Sequence, residues 1–525
     1  MKYIKLLFSK FIIIALVLLL ELALIVLSVF YFNTYFNWIR ILTYIIGLMV
    51  FFKILNRKQS PELKLPWLFL LIAFPMVGAV LYLMLTNSKM TKFQSKNYHE
   101  IYQSCKKILD KEKNEKPTET NEISQFSPTE TNHDEQKILG DYVGIENYLR
   151  NSSHTKGTMG NEVVFLKNGM KFHEELLKEL KKAKKFIFLE YFIIDKGEFW
   201  GSIHDILLEK VSSGVEVKVL YDDMGTMGKL MSGYYKHLNK EGIECRKFNK
   251  FSAIISGIHN NRDHRKLCII DNSVGFTGGI NLADEYINRK QPFGVWKDSA
   301  VKIKGPVVSN MTTMFLQMFD IQSKHRLDYS KYLLPCKESG NGQGVVNVFG
   351  SGPAPFYKDL VGENNFLNMI GSAKKKIYIT TPYLIIDFAL MTALKNAALK
   401  GIDVRIITPH IPDKKLVFNV TRSNYKPLLE AGVKIYEYTP GFIHSKELLV
   451  DDDLVFIGTI NLDYRSLVHH YECGAVIYKN DAILDIAKDF DDLFGISQEI
   501  TLENFKMNKL AELGNSFIAL FVPLL

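Results

Sequence analysis

His264-Arg265-Lys266-Leu267-Cys268-Ile269-Ile270-Asp271 and, 180 residues further on, His444-Ser445-Lys446-Glu447-Leu448-Leu449-Val450-Asp451 are two copies of one pattern, His-x-Lys-x4-Asp. The copies stay in register beyond the aspartate. Phe276, Gly278, Ile280, Asn281 and Leu282 align with Phe456, Gly458, Ile460, Asn461 and Leu462. A single His-x-Lys describes many solvated strand ends. Two copies with the same Gly-x-Ile-Asn-Leu tail describe a duplicated site that needs two histidines and two lysines.

The spacing places these residues. Lys266–Asp271 and Lys446–Asp451 read as strands, and on a strand residues i and i+2 share a face. His264 therefore projects with Lys266, and His444 with Lys446. Each Gly-x-Ile-Asn follows a second short strand, where it could bring a glycine near a ligand and an asparagine amide to a phosphate oxygen. Displacement at a phosphodiester needs a nucleophile, a proton for the leaving alkoxide and cations for the phosphoryl oxygens. Histidine supplies the first two near neutral pH, and lysine supplies the third. This chemistry needs no metal or other cofactor, and the sequence spacing contains no evident metal-ligand cluster.

Working outward, the repeat extends over whole supersecondary units. Ala183-Lys-Lys185 and Ala373-Lys-Lys375 each lead into an apolar strand pattern. Gly214-Val-Glu-Val-Lys-Val-Leu220 is echoed by Gly401-Ile-Asp-Val-Arg-Ile-Ile407, and Gly242-Ile-Glu-Cys-Arg246 by Gly432-Val-Lys-Ile-Tyr436. Helix patterns alternate with strands, which predicts an α/β layer structure with a largely parallel sheet in each half. Two such lobes meeting on a pseudo-two-fold axis would bring both motifs to one interfacial cleft. Of the other histidines, His173, His259 and His410 read as surface or capping residues. His469-His470 lies close after the second motif and is placed to line the cleft.

Composition narrows the function. The formal charge of +9 is not a property of the repeated half. Residues 1–96 hold eleven Lys/Arg and two Asp/Glu, which accounts for all of it (11 − 2 = +9) and leaves the remainder neutral. A neutral catalytic half argues against nucleic acid as partner. The basic residues flank apolar runs, where they meet anionic headgroups. Residues 11–32 are apolar apart from Glu21, residues 41–52 form a shorter run that reaches span length with Trp38 and Leu55, and Pro66–Leu85 form a third with Pro75 inside. The first run is too long for a signal-peptide core and reads as an anchor. Lys111–Lys137, with Pro-Thr-Glu-Thr-Asn twice, is polar and low in complexity, as a flexible linker is. The five cysteines are scattered and odd in number, and read as buried thiols.

These motifs are the double HKD signature, and the chain resembles the phospholipase D superfamily, more narrowly its bacterial cardiolipin synthases. Leu220-Tyr-Asp-Asp-Met-Gly225, Thr381-Pro-Tyr383 and Gly458-Thr-Ile-Asn-Leu-Asp463 with Arg465-Ser466 carry the likeness beyond the HKD residues. The resemblance implies two duplicated phospholipase D-like lobes (residues 141–335 and 336–525), a polar linker (91–140) and an N-terminal membrane anchor of two or three transmembrane segments (1–90). It implies a multi-pass protein of the cell membrane with its lobes on the cytoplasmic side. It implies phosphatidylglycerol as substrate, condensed to cardiolipin and glycerol through a phosphohistidine. His264 would be the nucleophile and His444 the general acid/base, with Lys266 and Lys446 on the phosphoryl oxygens, Asp271 and Asp451 orienting the sites, and Asn281 and Asn461 assisting phosphate binding. A phospholipase D hydrolase, a transphosphatidylase with another acceptor and an HKD nuclease share the same phosphate chemistry. Three departures stand out: Ser445 replaces a commoner alanine, His470 stands where many relatives have asparagine, and the N-terminus carries an extra apolar run. No oligomeric state follows from the sequence.

Overall fold

The computed structural model describes residues 34–86, 92–112, 133–250, 260–323, 325–334, 342–354, 356–505 and 509–522. They fall into two units. Of the described residues, 34–86, 260–261 and 509–522 belong to the smaller and the rest to the larger.

In the smaller unit, helices α1 (Thr34–Leu55), α2 (Pro61–Ala73) and α3 (Pro75–Leu85) pack Val50, Ile54, Trp67, Leu71, Val77 and Tyr82 together. Pro75 ends the third apolar run as a single helix, because proline lacks the amide that would continue it. The chain turns at Phe74 and folds back closely enough that a Cβ on Gly78 would lie 2.7 Å from the Leu71 backbone. The expected single span over Pro66–Leu85 is therefore two short helices. Among the described residues no helix is long and apolar enough to cross a membrane. The first apolar run lies outside the described residues. Outward-facing residues of α1–α3 are nonetheless apolar, Trp38, Leu42, Met49 and Ile72 among them.

The larger unit holds both halves of the repeat. In the first half, β1 (Glu162–Leu166), β2 (Phe186–Tyr191), β3 (Glu216–Asp222), β4 (Glu244–Phe248), β5 (Lys266–Ile270), β6 (Val274–Gly278) and β8 (Ala300–Lys304) form one sheet in the order β1-β8-β6-β5-β2-β3-β4, while β7 (Val295–Lys297) lies outside it. In the second, β9 (Val345–Ser351), β10 (Lys376–Thr380), β11 (Asp403–Pro409), β12 (Lys434–Tyr438), β14 (Glu447–Val450), β15 (Leu454–Gly458), β16 (Glu472–Tyr478) and β17 (Ser497–Ile500) are ordered β17-β12-β11-β10-β14-β15-β16-β9. β13 (Gly441–Ile443) pairs in parallel with β7 from the other lobe.

The sheets are mixed rather than largely parallel. Within the two large sheets, among the described residues, only β2-β3-β4 and β10-β11-β12, joined through helices, run parallel. The turns after Ile270 and Val450 are too short for a crossover and force β5–β6 and β14–β15 into antiparallel hairpins. Helices cover both faces, which is why β2 reads as a continuous apolar run. Phe186 and Phe188 enter one core, and Ile187, Leu189 and Tyr191 another.

Helix α4 (Lys92–Glu112) differs from the linker expectation. It buries Tyr98, Ile101 and Cys105 in the main core and is part of that core. Residues 113–132, the centre of the polar segment, lie outside the described residues. Cys105, Cys245, Cys268 and Cys473 are free and buried, as read from the sequence; Cys336 is not described.

Candidate functional site

The strand register builds the site. β5 pairs antiparallel with β2 so that Lys266 sits opposite Tyr191, the last residue of β2. β14 likewise sets Glu447 opposite Thr380, the last residue of β10. Both motifs thus start at the edge of each sheet where the parallel strands end, the usual ligand edge of α/β sheets.

The lobes exchange backbone at that edge. The His264 amide donates to the Tyr471 carbonyl (2.9 Å) and the Tyr471 amide to the Arg262 carbonyl (2.8 Å). On the other side of the pseudo-two-fold, the His444 amide donates to the Lys297 carbonyl (2.6 Å). Each motif histidine consequently meets a carboxylate from the opposite lobe. His264 Nδ1 lies 2.9 Å from both oxygens of Glu472, and His444 Nδ1 lies 2.6 Å from Asp298 Oδ2. With Nδ1 engaged, Nε2 of each ring is left to meet a substrate. The lysines turn back on the same residues. Lys266 Nζ donates to the His264 carbonyl (2.6 Å), and Lys446 Nζ donates to the His444 carbonyl and lies 2.9 Å from His444 Nδ1.

These groups are buried and their charges crowd one another. Burial, then Lys266, Lys446 and His444, hold His264 well below the ordinary histidine range. Burial, then Lys446, Lys266 and Lys414, do the same to His444. Burial pushes Lys266 down to about 8 and Lys446 down to about 7, and pushes the Asp298 carboxyl up to about 7. A phosphate anion among these groups would favour their protonated forms.

The glycines of the motif tails do different work from that expected. Gly278 and Gly458 face neighbouring strands: a Cβ would lie 2.4 Å from the Ser299 carbonyl oxygen in one case and 2.5 Å from the Cys473 carbonyl oxygen in the other. They permit close strand approach and do not front a ligand. Asn281 is engaged at both ends, accepting from the Ile193 amide (3.0 Å) and donating to the Tyr286 hydroxyl (2.6 Å). Asn461 is buried, and its Oδ1 has no hydrogen-bond partner among the described residues. Asp271 and Asp451 lie at the far ends of β5 and β14, away from the histidines. Asp271 accepts from the amides of Lys184, Lys185 and Phe186, each at 2.8 Å, and Asp451 from those of Lys374, Lys375 and Lys376. Both sit at positive φ (53° and 51°) in the hairpin turn, which aspartate tolerates. They tie the turn to the start of the neighbouring strand.

Sequence reasoning missed Asp298 and Glu472. They stand 34 and 28 residues after the motif histidine of their own lobe, not the one they bond, and the spacings differ because the repeat loses register beyond Leu282 and Leu462. Matching Val-Trp-Lys-Asp298 to His-Tyr-Glu472 across that slip was the available signal. Tyr286 was also missed; its ring lies 5.4 Å from the His444 ring. His470 does line the cleft, 5.4 Å from the His264 ring. His264, His470 and Glu472 bring three potential metal-ligating atoms within 4.8 Å of one another, a cluster invisible in the spacing because it spans both lobes. His173 bonds Ser202 and His410 bonds Glu437, while His259 is not described.

Comparison with known proteins agrees with this geometry. Residues 176–319 and 366–494 match the family described as cardiolipin synthase, PLD-like domain, and residues 45–85 match one described as phospholipase D-nuclease N-terminal. A cardiolipin synthase of Alkalihalophilus pseudofirmus is 34% identical over 466 residues, 88% of each chain. One from Geobacillus kaustophilus is 34% identical over 472 residues, 90% of each chain. An uncharacterized protein of Streptococcus mutans is 43% identical over 382 residues, 73% of this chain and 82% of that one. The solved phosphatidylserine synthase of Haemophilus influenzae shares the fold at 17% identity, with a TM-score of 0.54 over 73% of this chain and 98% of its own.

Proposed function

The chain belongs to the cardiolipin synthase, PLD-like family, and from that premise we propose that it condenses two phosphatidylglycerol molecules to cardiolipin and glycerol. His264 Nε2 attacks phosphorus as the bond to the headgroup glycerol oxygen breaks, and His444 delivers a proton to that oxygen. The phosphatidyl group is then held through a P–N bond on His264. A hydroxyl of a second phosphatidylglycerol gives its proton to His444, its oxygen attacks phosphorus, and the P–N bond breaks. Atoms balance without water or metal.

The observation that carries the reading is the pair of motif histidines, each backed by a carboxylate from the opposite lobe. The division of labour is supported by the surroundings of His444. Asp298 Oδ2 and Lys446 Nζ both lie within hydrogen-bond distance of His444 Nδ1, and burial brings both groups to about 7, so protons can be exchanged around this ring near neutral pH, which suits an acid/base. Lys266 and Lys446 neutralise the non-bridging oxygens, with the amide nitrogens of Asn281 and Asn461 as further donors. Asp271 and Asp451 act as positioning residues that hold the strands carrying the histidines.

The N-terminal 90 residues serve as the membrane anchor in this reading, with the lobes on the cytoplasmic side. The apolar outward faces of α1–α3 support contact with lipid. The decisive experiment incubates the detergent-solubilised full chain with phosphatidylglycerol alone. Cardiolipin and glycerol are expected to rise in equal amounts. Phosphatidic acid as the main product would make the enzyme a hydrolase and overturn the reading.

A further inference from the structure

The edge of the sheets that carries both motif histidines also carries exposed apolar side chains that no core explains. The segments leaving β2, β3, β10 and β11 all emerge at this edge, because those strands are parallel and end beside the histidines. After β3, Gly225 packs on Phe192, whose ring lies 4.9 Å from His264. Met227 and Met231 follow and are 59% and 55% exposed. After β10 comes Phe388, at 74%, and after β11 comes Leu416, at 65%.

Charge accompanies them. Lys414 and Lys415 directly precede Leu416 and are exposed. Lys414 is near enough to both motif histidines to disfavour their protonation. It also reaches the Tyr383 hydroxyl (3.4 Å), which in turn donates to Asp413 (2.7 Å). The rim is therefore apolar on both lobes and cationic on the second, around one phosphate-binding centre.

We propose that this rim docks on the surface of a bilayer containing anionic phospholipid, with Met227, Met231, Phe388 and Leu416 entering the headgroup–acyl boundary and Lys414 and Lys415 meeting lipid phosphates. The proposal rests on a phospholipid being the substrate. A diacyl lipid can then present its phosphate to the histidines while its chains stay in the membrane. Apolar side chains with adjacent lysines are the composition that binds such an interface. A second copy of the chain or a protein partner would not call for lysines beside a centre that handles anionic lipid phosphate.

The test uses the full chain reconstituted into vesicles of phosphatidylglycerol and phosphatidylcholine. An environment-sensitive fluorophore is attached at Leu416→Cys and, separately, at Leu484→Cys, with labelling of the unsubstituted chain subtracted. Leu484 is the control: it is equally exposed, at 65%, but follows β16, whose end Tyr478 pairs with Leu454 at the opposite edge. Lipid carrying a quencher just below the headgroup is expected to quench Leu416 at least threefold more than Leu484, and more strongly as phosphatidylglycerol increases. Equal quenching at the two positions overturns the proposal, as does protection of Leu416 that depends on protein concentration and not on lipid. This readout does not require turnover, so it separates failure of the docking surface from failure of the proposed reaction. A kinetic arm compares Met227→Ser/Leu416→Ser with the parent. The ratio of kcat/KM on vesicles to kcat/KM on monomeric short-chain phosphatidylglycerol is expected to fall about tenfold. An unchanged ratio would likewise overturn it.

Discussion

The two half-sites arise from one repeated unit, yet they hold their carboxylates differently. Glu472, which meets His264, also accepts the Thr459 hydroxyl. Asp298, which meets His444, has at the matching position Gly279, where a Cβ would lie 2.1 Å from its own oxygen. Asp298 instead accepts from the Ser299 amide (2.8 Å) and sits near Lys446. The ring neighbours differ too. His444 is surrounded by Tyr286, Trp296 and Phe442, and His264 by Phe192 and His470. Burial brings the Asp298 carboxyl up to about 7, while the Glu472 carboxylate is fixed by the Thr459 hydroxyl beside its histidine. Duplication supplied two equal parts, and small side-chain changes gave the two histidines different surroundings.

The largest expected effect comes from deleting either histidine. His264→Ala and His444→Ala should each lower turnover by about 10⁴-fold or more, and the double variant should be little worse, because nucleophile and acid act as a unit. Trapping of labelled phosphatidyl-enzyme sharpens the comparison: the label should vanish in His264→Ala and persist in His444→Ala with a substrate whose leaving group needs no proton. The reverse pattern would exchange the two roles. Near-normal turnover in either single variant would break the two-histidine mechanism.

Next come the crossed carboxylates. Asp298→Asn and Glu472→Gln keep the side-chain shape but remove the charge that orients the imidazole, and each should cost about 10²–10⁴-fold in kcat. The two should differ in kind. Asp298→Asn should also shift the acidic limb of the pH–rate profile, since it removes a group balanced near pH 7, while Glu472→Gln should lower the plateau with less shift. Identical profiles would show that the half-sites are not specialised.

These two acids also mark where the sequence stopped being informative. The HKD residues, the duplication and the α/β character were legible because the repeat is gapless from His264 to Leu282 and because strands such as β2 are buried on both faces. Asp298 and Glu472 were not, because each serves the other copy, and a contact across a pseudo-two-fold leaves no periodicity along the chain. The parallel expectation failed for a related reason. Helix-linked strands dominate the pattern, but the hairpins that carry the histidines are antiparallel. The aspartate of each motif was legible as a residue that orients its site, but the backbone amides it holds at the far end of the strand were not.

A smaller effect is expected in proton uptake. The ordinary lysine value is 10.5, and burial depresses Lys446 to about 7 and Lys266 to about 8. Between those values and 10.5 the unfolded chain binds more protons than the folded one, so these lysines make stability rise with pH across that window. A bound phosphate analogue reverses the depression by favouring the charged form. At pH 8, recharging Lys446 should take up about 0.9 proton and Lys266 about 0.5. Calorimetry of inorganic phosphate or vanadate in buffers of different ionisation enthalpy measures this. Lys446→Met should therefore remove more of the uptake than Lys266→Met, and equal losses would contradict the asymmetry.

The smallest expected effect on turnover concerns the motif aspartates. Asp271 and Asp451 each accept backbone amides at the start of the strand beside their own, at the opposite end of β5 and β14 from the motif histidines. Replacing either by alanine strips acceptors from amides that have little other recourse, at a cost of about 1–3 kcal/mol of stability. The cost should be greater for Asp451, which is 9% exposed, than for the half-buried Asp271, because water can replace more of what Asp271 provides. Turnover at a temperature where the variants remain folded should stay within about tenfold of the parent, since β5 and β14 are still held by two neighbours each. Thermal unfolding of the solubilised chain alongside initial rates separates the two quantities. A loss of rate as large as that of His264→Ala, with an unchanged melting temperature, would return these aspartates to the chemistry; a lower melting temperature with the rate preserved would confine them to holding the strands.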